Sequence, residues 1–134
     1  MGNEEAMQEK YMQFQMLQQQ MEEINQELQM LMQQQAELEL SINAVKELEK
    51  TKVNNEILAP LANGIFIKTE LKDNQTLVVN VGSDVTVEKT IPEVLELLEK
   101  HQQTVNQKVI EMDLLMRELS SEAMEVYRQV NAEK

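Results

Sequence analysis

Apolar side chains recur at alternating spacings of three and four along two long stretches of this chain, residues 4–52 and 91–131, while the segment between them, residues 57–89, alternates like short strands with turns. In the first stretch Met7, Phe14, Met21, Leu28, Gln35 and Ile42 form one series. Lys10, Leu17, Ile24, Leu31, Leu38 and Val45 form the other, and only Lys10 and Gln35 are polar. Sustained over about six heptads, this predicts a coiled-coil helix. Asn3 is placed to cap it, with Glu4 and Glu5 in the first turn, where carboxylates meet the positive end of the helix dipole. Lys46, Lys50 and Lys52 suit the other end, and Asn54 and Asn55 read as stop residues. Gln35 has two readings: it sets register or partner choice, or it faces a polar residue on a returning helix.

The second stretch opens on Thr90-Ile91-Pro92-Glu93, a capping-box pattern with proline early in the first turn. Its seam runs Ile91, Leu95, Leu98, Gln102, Val105, Val109, Met112, Met116, Leu119, Ala123, Val126 and Val130. Run antiparallel, the two helices set Leu17 opposite Val126 and Phe14 near Gln129. Three of the four aromatics, Tyr11, Phe14 and Tyr127, then gather at the free tip. With Met7, Met12, Met16, Leu17, Val126 and Val130 they form a candidate binding surface that is apolar and adaptable. The plainer alternative is that the aromatics only seal the coil, and that Met12, Met16, Met30 and Met32 are exposed helix formers.

Between the helices, Ile57–Leu61, Ile65–Leu71, Leu77–Val81 and Val85–Glu88 read as three or four short strands in two hairpins, with Asn63-Gly64 and Gly82-Ser83-Asp84 as turns. Pro60 confines its strand to an edge. Such strands cannot bury an apolar face alone and leave open edges. They are expected to pair with segments of other chains, closing into a barrel through Ile65, Ile67, Leu71, Leu77, Val79, Val81, Val85 and Val87. The expected fold is mainly α with a small β part: an antiparallel two-helix coiled-coil hairpin with two β-hairpins at its base, oligomerising through a β-barrel.

Composition narrows the function. At 134 residues the chain has a one-domain length, and 1–134 reads as a single domain. It has no cysteine, so no thiolate metal site or disulfide framework. The formal charge of −12 argues against nucleic acid or an anionic membrane as partner. No leader pattern and no membrane span are read, so a cytoplasmic location is expected. His101 is the only histidine, without a Glu-x-x-His pair, and no Gly-x-x-x-x-Gly-Lys loop occurs. No catalytic residue, metal or cofactor is expected, and the protein is read as a non-enzyme.

The segment Ile57-Leu58-Ala59-Pro60-Leu61-Ala62-Asn63-Gly64-Ile65-Phe66-Ile67-Lys68-Thr69-Glu70-Leu71, then Leu77-Val78-Val79-Asn80-Val81-Gly82, resembles the prefoldin family, specifically its alpha class with two hairpins. Leu58-Ala59-Pro60 stands where the family has Leu-Val-Pro, and Val85–Thr90 is similar to the segment that enters the second helix. The resemblance implies a hetero-hexamer of two alpha-class and four beta-class chains. It also implies an ATP-independent chaperone that holds unfolded or nascent clients at coiled-coil tips and passes them to a group II chaperonin. The rival reading from the residues is a structural coiled-coil adaptor that binds no client.

Overall fold

A computed structural model describes residues 2–132; residues 1, 133 and 134 of the expected 1–134 domain lie outside the described residues. Helix α1 spans Gly2–Lys50 and helix α2 spans Ile91–Ala132. Between them run strands β1 (Glu56–Ala62), β2 (Ile65–Glu70), β3 (Thr76–Gly82) and β4 (Val85–Thr90). The chain divides into two compact units. One is formed by residues 1–36 and 104–134, the other by residues 37–103.

The helical unit is an antiparallel pair. Leu17, Ala123 and Val126 are its packed interior, flanked by Phe14, Met21, Leu119 and Val130. Rising numbers on α1 meet falling numbers on α2: Phe14 stacks on Tyr127, and the Gln35 side-chain amide donates to Asn106 Oδ1 at 2.7 Å. Of the two readings of Gln35, the structure shows the second, a polar partner on the returning helix. The whole predicted seam is withdrawn from solvent. Each of its twelve positions on α1, and each of its twelve on α2, is buried or half-buried. The heptad spacing therefore marks the burying face because that spacing keeps one stripe turned toward the partner helix.

Two details of the helix ends differ from expectation. Asn3 does not cap α1, because the helix already includes Gly2 and a capping residue has a non-helical backbone. At the other end α1 stops at Lys50, before Lys52, Asn54 and Asn55. Thr51 ends it: its N–H donates to Leu48 O at 3.1 Å and its hydroxyl to Glu47 O at 2.9 Å, satisfying carbonyls that the helix leaves open. Asn54 instead takes a left-handed φ of 74° in the connection that follows. The cap of α2 is as the sequence predicts. The Thr90 hydroxyl and N–H donate to Glu93 Oε1 at 2.9 and 3.3 Å, and the Glu93 N–H donates back to Thr90 Oγ1.

The strand unit holds two separate antiparallel hairpins, β1–β2 and β3–β4. They are one design used twice, twenty residues apart. Glu56 pairs with Glu70 as Thr76 pairs with Thr90; Ala59 pairs with Ile67 as Val79 pairs with Val87; and both ladders bulge just before the turn. Each hairpin is tied at its foot. Leu71 N–H donates to Asn55 O at 2.9 Å and Asn54 N–H to Leu71 O at 2.7 Å, while Ile91 N–H donates to Gln75 O at 3.0 Å. Leu71 and Ile91, the residues just past the returning strands, are buried; so are Leu38, Ile42 and Val94 in the helical parts of the same unit. The turns differ. Gly64 alone takes a positive φ in the first, whereas Ser83 and Asp84 both do in the second, with Gly82 before them at 124°.

Candidate interaction surfaces

Of the residues expected to form a binding surface in the helical unit, most are exposed or line grooves and two are neither. Tyr11, Met12, Met7 and Val130 line one open groove of about 470 Å³. Phe14 and Tyr127 line another of about 480 Å³, with Met21, Ala123, Met124, Ser120 and Arg128. Met16 is exposed but lines neither. Leu17 and Val126, each 6% exposed, are packed interior. As seam positions they face the opposite helix and stand behind the groove walls. Sequence reasoning missed Met21, Ala123 and Met124. The available signal was Ala123 itself, a small side chain at a seam position between Leu119 and Val126, which leaves room beside the Phe14 and Tyr127 rings. Those rings lie 5.9 Å apart, tilted by 38°.

The groove walls are mostly apolar, aromatic and sulfur-bearing. Such walls bind through dispersion and hydrophobic burial, which tolerate many partner shapes. The polar side chains in the linings are Gln8 in one groove and Ser120 and Arg128 in the other, beside the hydroxyls of Tyr11 and Tyr127.

In the strand unit Ile65, Ile67, Val81, Val85 and Val87 are exposed as expected, and Leu77 and Val79 are half-buried. Leu71 is corrected. It lies beyond β2, is 7% exposed, and serves its own chain at the hairpin foot. Four residues were missed: Leu58, Leu61, Phe66 and Val78, all widely exposed. The pairing explains the oversight. Ile57, Ala59, Ile67 and Thr69 share one face of the first hairpin, and Leu58, Pro60 and Phe66 share the other. Alternation was read as one apolar face, but both faces carry apolar side chains. The half-buried face is also tied within the chain, where the Thr69 hydroxyl donates to Ile57 O at 3.1 Å.

Charge is carried on the outside. Lys100 pairs with Glu96 at 3.3 Å and Arg117 with Asp113 at 3.2 Å, both exposed i,i+4 pairs worth a few tenths of a kcal/mol each. Two carboxyls lie below their ordinary range, both from hydrogen bonds that favour the charged form. Asp73 accepts from the Thr76 hydroxyl, from Gln75 N–H at 2.7 Å and from Thr76 N–H at 3.2 Å. Glu93 accepts from the Thr90 hydroxyl and N–H, with Lys89 adding a smaller charge effect. Among the described residues no cluster of three or more His, Cys, Asp or Glu is placed to hold a metal, and no helix is long and apolar enough to cross a membrane.

Comparison with known proteins agrees with this architecture. The family model described as prefoldin subunit matches residues 17–133. Prefoldin subunit alpha of Thermofilum pendens is 30% identical over 72% of this chain and 75% of its own length. Prefoldin subunit alpha of Archaeoglobus fulgidus is 23% identical over 98% of this chain and 96% of its own. Among solved structures, a chain of a filamentous PFD from Methanocaldococcus jannaschii, determined by cryo-electron microscopy, superposes with a TM-score of 0.74. It is 18% identical and covers 84% of this chain and 93% of its own length, a likeness of fold.

Proposed function

We propose a holding function from a plain premise: this chain belongs to the prefoldin family, as an alpha-class subunit, and with that membership comes a chaperone role. The finer reading is that the chain acts as one prefoldin-like domain in the cytoplasm, without ATP. Its helical unit holds unfolded or nascent proteins. Its strands join beta-class chains in a hetero-hexamer of two alpha and four beta subunits, which hands clients to a group II chaperonin.

One observation carries the holding function. The helical unit bears two open apolar grooves, walled by Tyr11, Phe14, Tyr127 and four methionines, that its own core leaves unfilled. An unfolded client offers short apolar segments of no fixed shape. Aromatic rings give such a segment area at low entropic cost, and methionines adapt to it. A single groove binds weakly. Several grooves in one assembly, engaging one client, multiply that affinity by effective concentration. Holding of this kind makes and breaks no covalent bond in the client, so it calls for no catalytic group.

The test is aggregation of a denatured client diluted into buffer, followed by light scattering. The chain together with a beta-class partner is expected to suppress aggregation at stoichiometric amounts, and Tyr11→Ser with Tyr127→Ser is expected to weaken suppression without changing helicity. A wild-type assembly that leaves scattering unchanged would favour the structural adaptor.

A further inference from the structure

All the side-chain sulfur in this chain is thioether: ten methionines and no cysteine. Their positions divide them. Met7, Met21, Met112 and Met116 are half-buried on the seams, whereas Met12, Met16, Met30, Met32 and Met124 are exposed. Met12, 63% exposed, and Met124, 57% exposed, are also groove walls, one in each groove. Each groove thus pairs one open thioether with one half-buried thioether, Met12 with Met7 and Met124 with Met21. The other exposed methionines, Met16, Met30 and Met32, line neither groove and form an internal control.

Resting on the holding function above, we propose that Met12 and Met124 are modification sites at which a hydroperoxide switches holding off. The sulfur lone pair attacks the terminal oxygen of the hydroperoxide. The O–O bond breaks and a sulfur–oxygen bond forms. Sulfur loses two electrons, the peroxide is reduced, and its remaining oxygen leaves as water or an alcohol after taking the hydroperoxide proton. The product is a sulfoxide, polar and accepting hydrogen bonds, in place of a flexible apolar group. A bound apolar segment would cover that oxygen without supplying a donor, an unfavourable arrangement. The helices themselves stay intact, because neither residue belongs to the seam. Thiol-dependent sulfoxide reduction would restore the groove, so the change is reversible. Oxidation of Met21 or Met116 would act differently, by loosening the coil.

The experiment treats the assembly of this chain with its beta-class partner with limiting hydrogen peroxide. Peptide mass spectrometry locates the sulfoxides, circular dichroism follows helicity, and client aggregation reports holding. Met12 and Met124 are expected to oxidise before the seam methionines, helicity to stay unchanged, and client affinity to fall roughly tenfold, about 1.4 kcal/mol. The Met12→Leu, Met124→Leu assembly, whatever its starting affinity, is expected to show the same client affinity before and after the same treatment. Met12→Gln with Met124→Gln is expected to be weak before any treatment. Undiminished holding with both sites oxidised, or equal loss in the leucine variant, would overturn the switch. Untreated wild type that holds no client would sink the holding function itself, a result visible before peroxide is added.

Discussion

The helical unit and the strand unit spend their apolar residues in opposite ways. In the helical unit the heptad positions of α1 and α2 are withdrawn from solvent, and Leu17, Ala123 and Val126 close into an interior. In the hairpins Leu58, Leu61, Ile65, Phe66, Val78, Val81 and Val85 stand open, on both faces. Two helices can satisfy each other because each needs to hide only one stripe. A two-stranded ribbon has two faces and two edges, and one partner ribbon cannot cover them all. Self-sufficiency in one unit and exposure in the other is the division that the proposed assembly through the strands requires.

The largest effect should come from breaking that dependence. Phe66→Glu combined with Val81→Glu places carboxylates where a neighbouring chain would bury them, and an unpaired buried charge costs several kcal/mol. Mixed with a beta-class chain, the variant is expected to remain at the 15.5 kDa of a single subunit by light scattering, with helicity kept. An assembly of unchanged mass would place the joining surface elsewhere.

A smaller effect separates the two kinds of apolar residue within one chain. Leu17→Ala removes a packed side chain and is expected to cost about 2–3 kcal/mol, near the low end for leucine truncation because a two-helix pair relaxes around the gap. Phe66→Ala removes a larger side chain that touches little in the isolated subunit, and should stay within about 0.5 kcal/mol. Thermal melts of the isolated chain give both values. If Phe66→Ala melts as low as Leu17→Ala, the hairpin is covered by its own chain and the contrast between the units is false.

The same contrast explains how far the sequence could be read. The helical seams were legible residue by residue, because heptad spacing is a one-dimensional record of a one-sided burial. The Thr90–Glu93 cap was legible for a similar reason: both partners lie within one turn. The strands were legible as elements and turns but not as surfaces. Alternation names two faces without saying which one the chain covers, so neither the burial of Leu71 nor the exposure of Phe66 can be read from it. The twenty-residue repeat that makes the hairpins equivalent is hidden in sequence, since Pro60 stands where Asn80 does and Phe66 where Thr86 does. In the helical unit Leu17 and Val126 lie both near the chain ends and on the seam, and the seam position decides their burial.

The smallest effect concerns acid, and it should fall on the strand unit. Asp73 and Glu93 both lie there, at the start of β3 and at the cap of α2. Hydrogen bonds to the charged carboxylates hold both below the ordinary carboxylate range, first the Thr76 hydroxyl for Asp73 and the Thr90 hydroxyl for Glu93. A carboxyl depressed in the folded state binds its proton more readily in the unfolded one. Its contribution is therefore complete above the unfolded value, about pH 4, and is lost as the pH falls through the folded value. Both groups are open to solvent, so the loss is a slope on the acid limb and not a collapse. Amide exchange, corrected for intrinsic rates and compared between about pH 6 and about pH 3, should show protection falling in residues 75–93 before it falls around Leu17. Asp73→Asn with Glu93→Gln removes the titrating groups while keeping an acceptor oxygen at each position, so the variant should lose part of that pH dependence. If acid instead releases the helical amides first, or if the variant keeps the full slope, these two carboxylates do not set the strand unit's acid sensitivity.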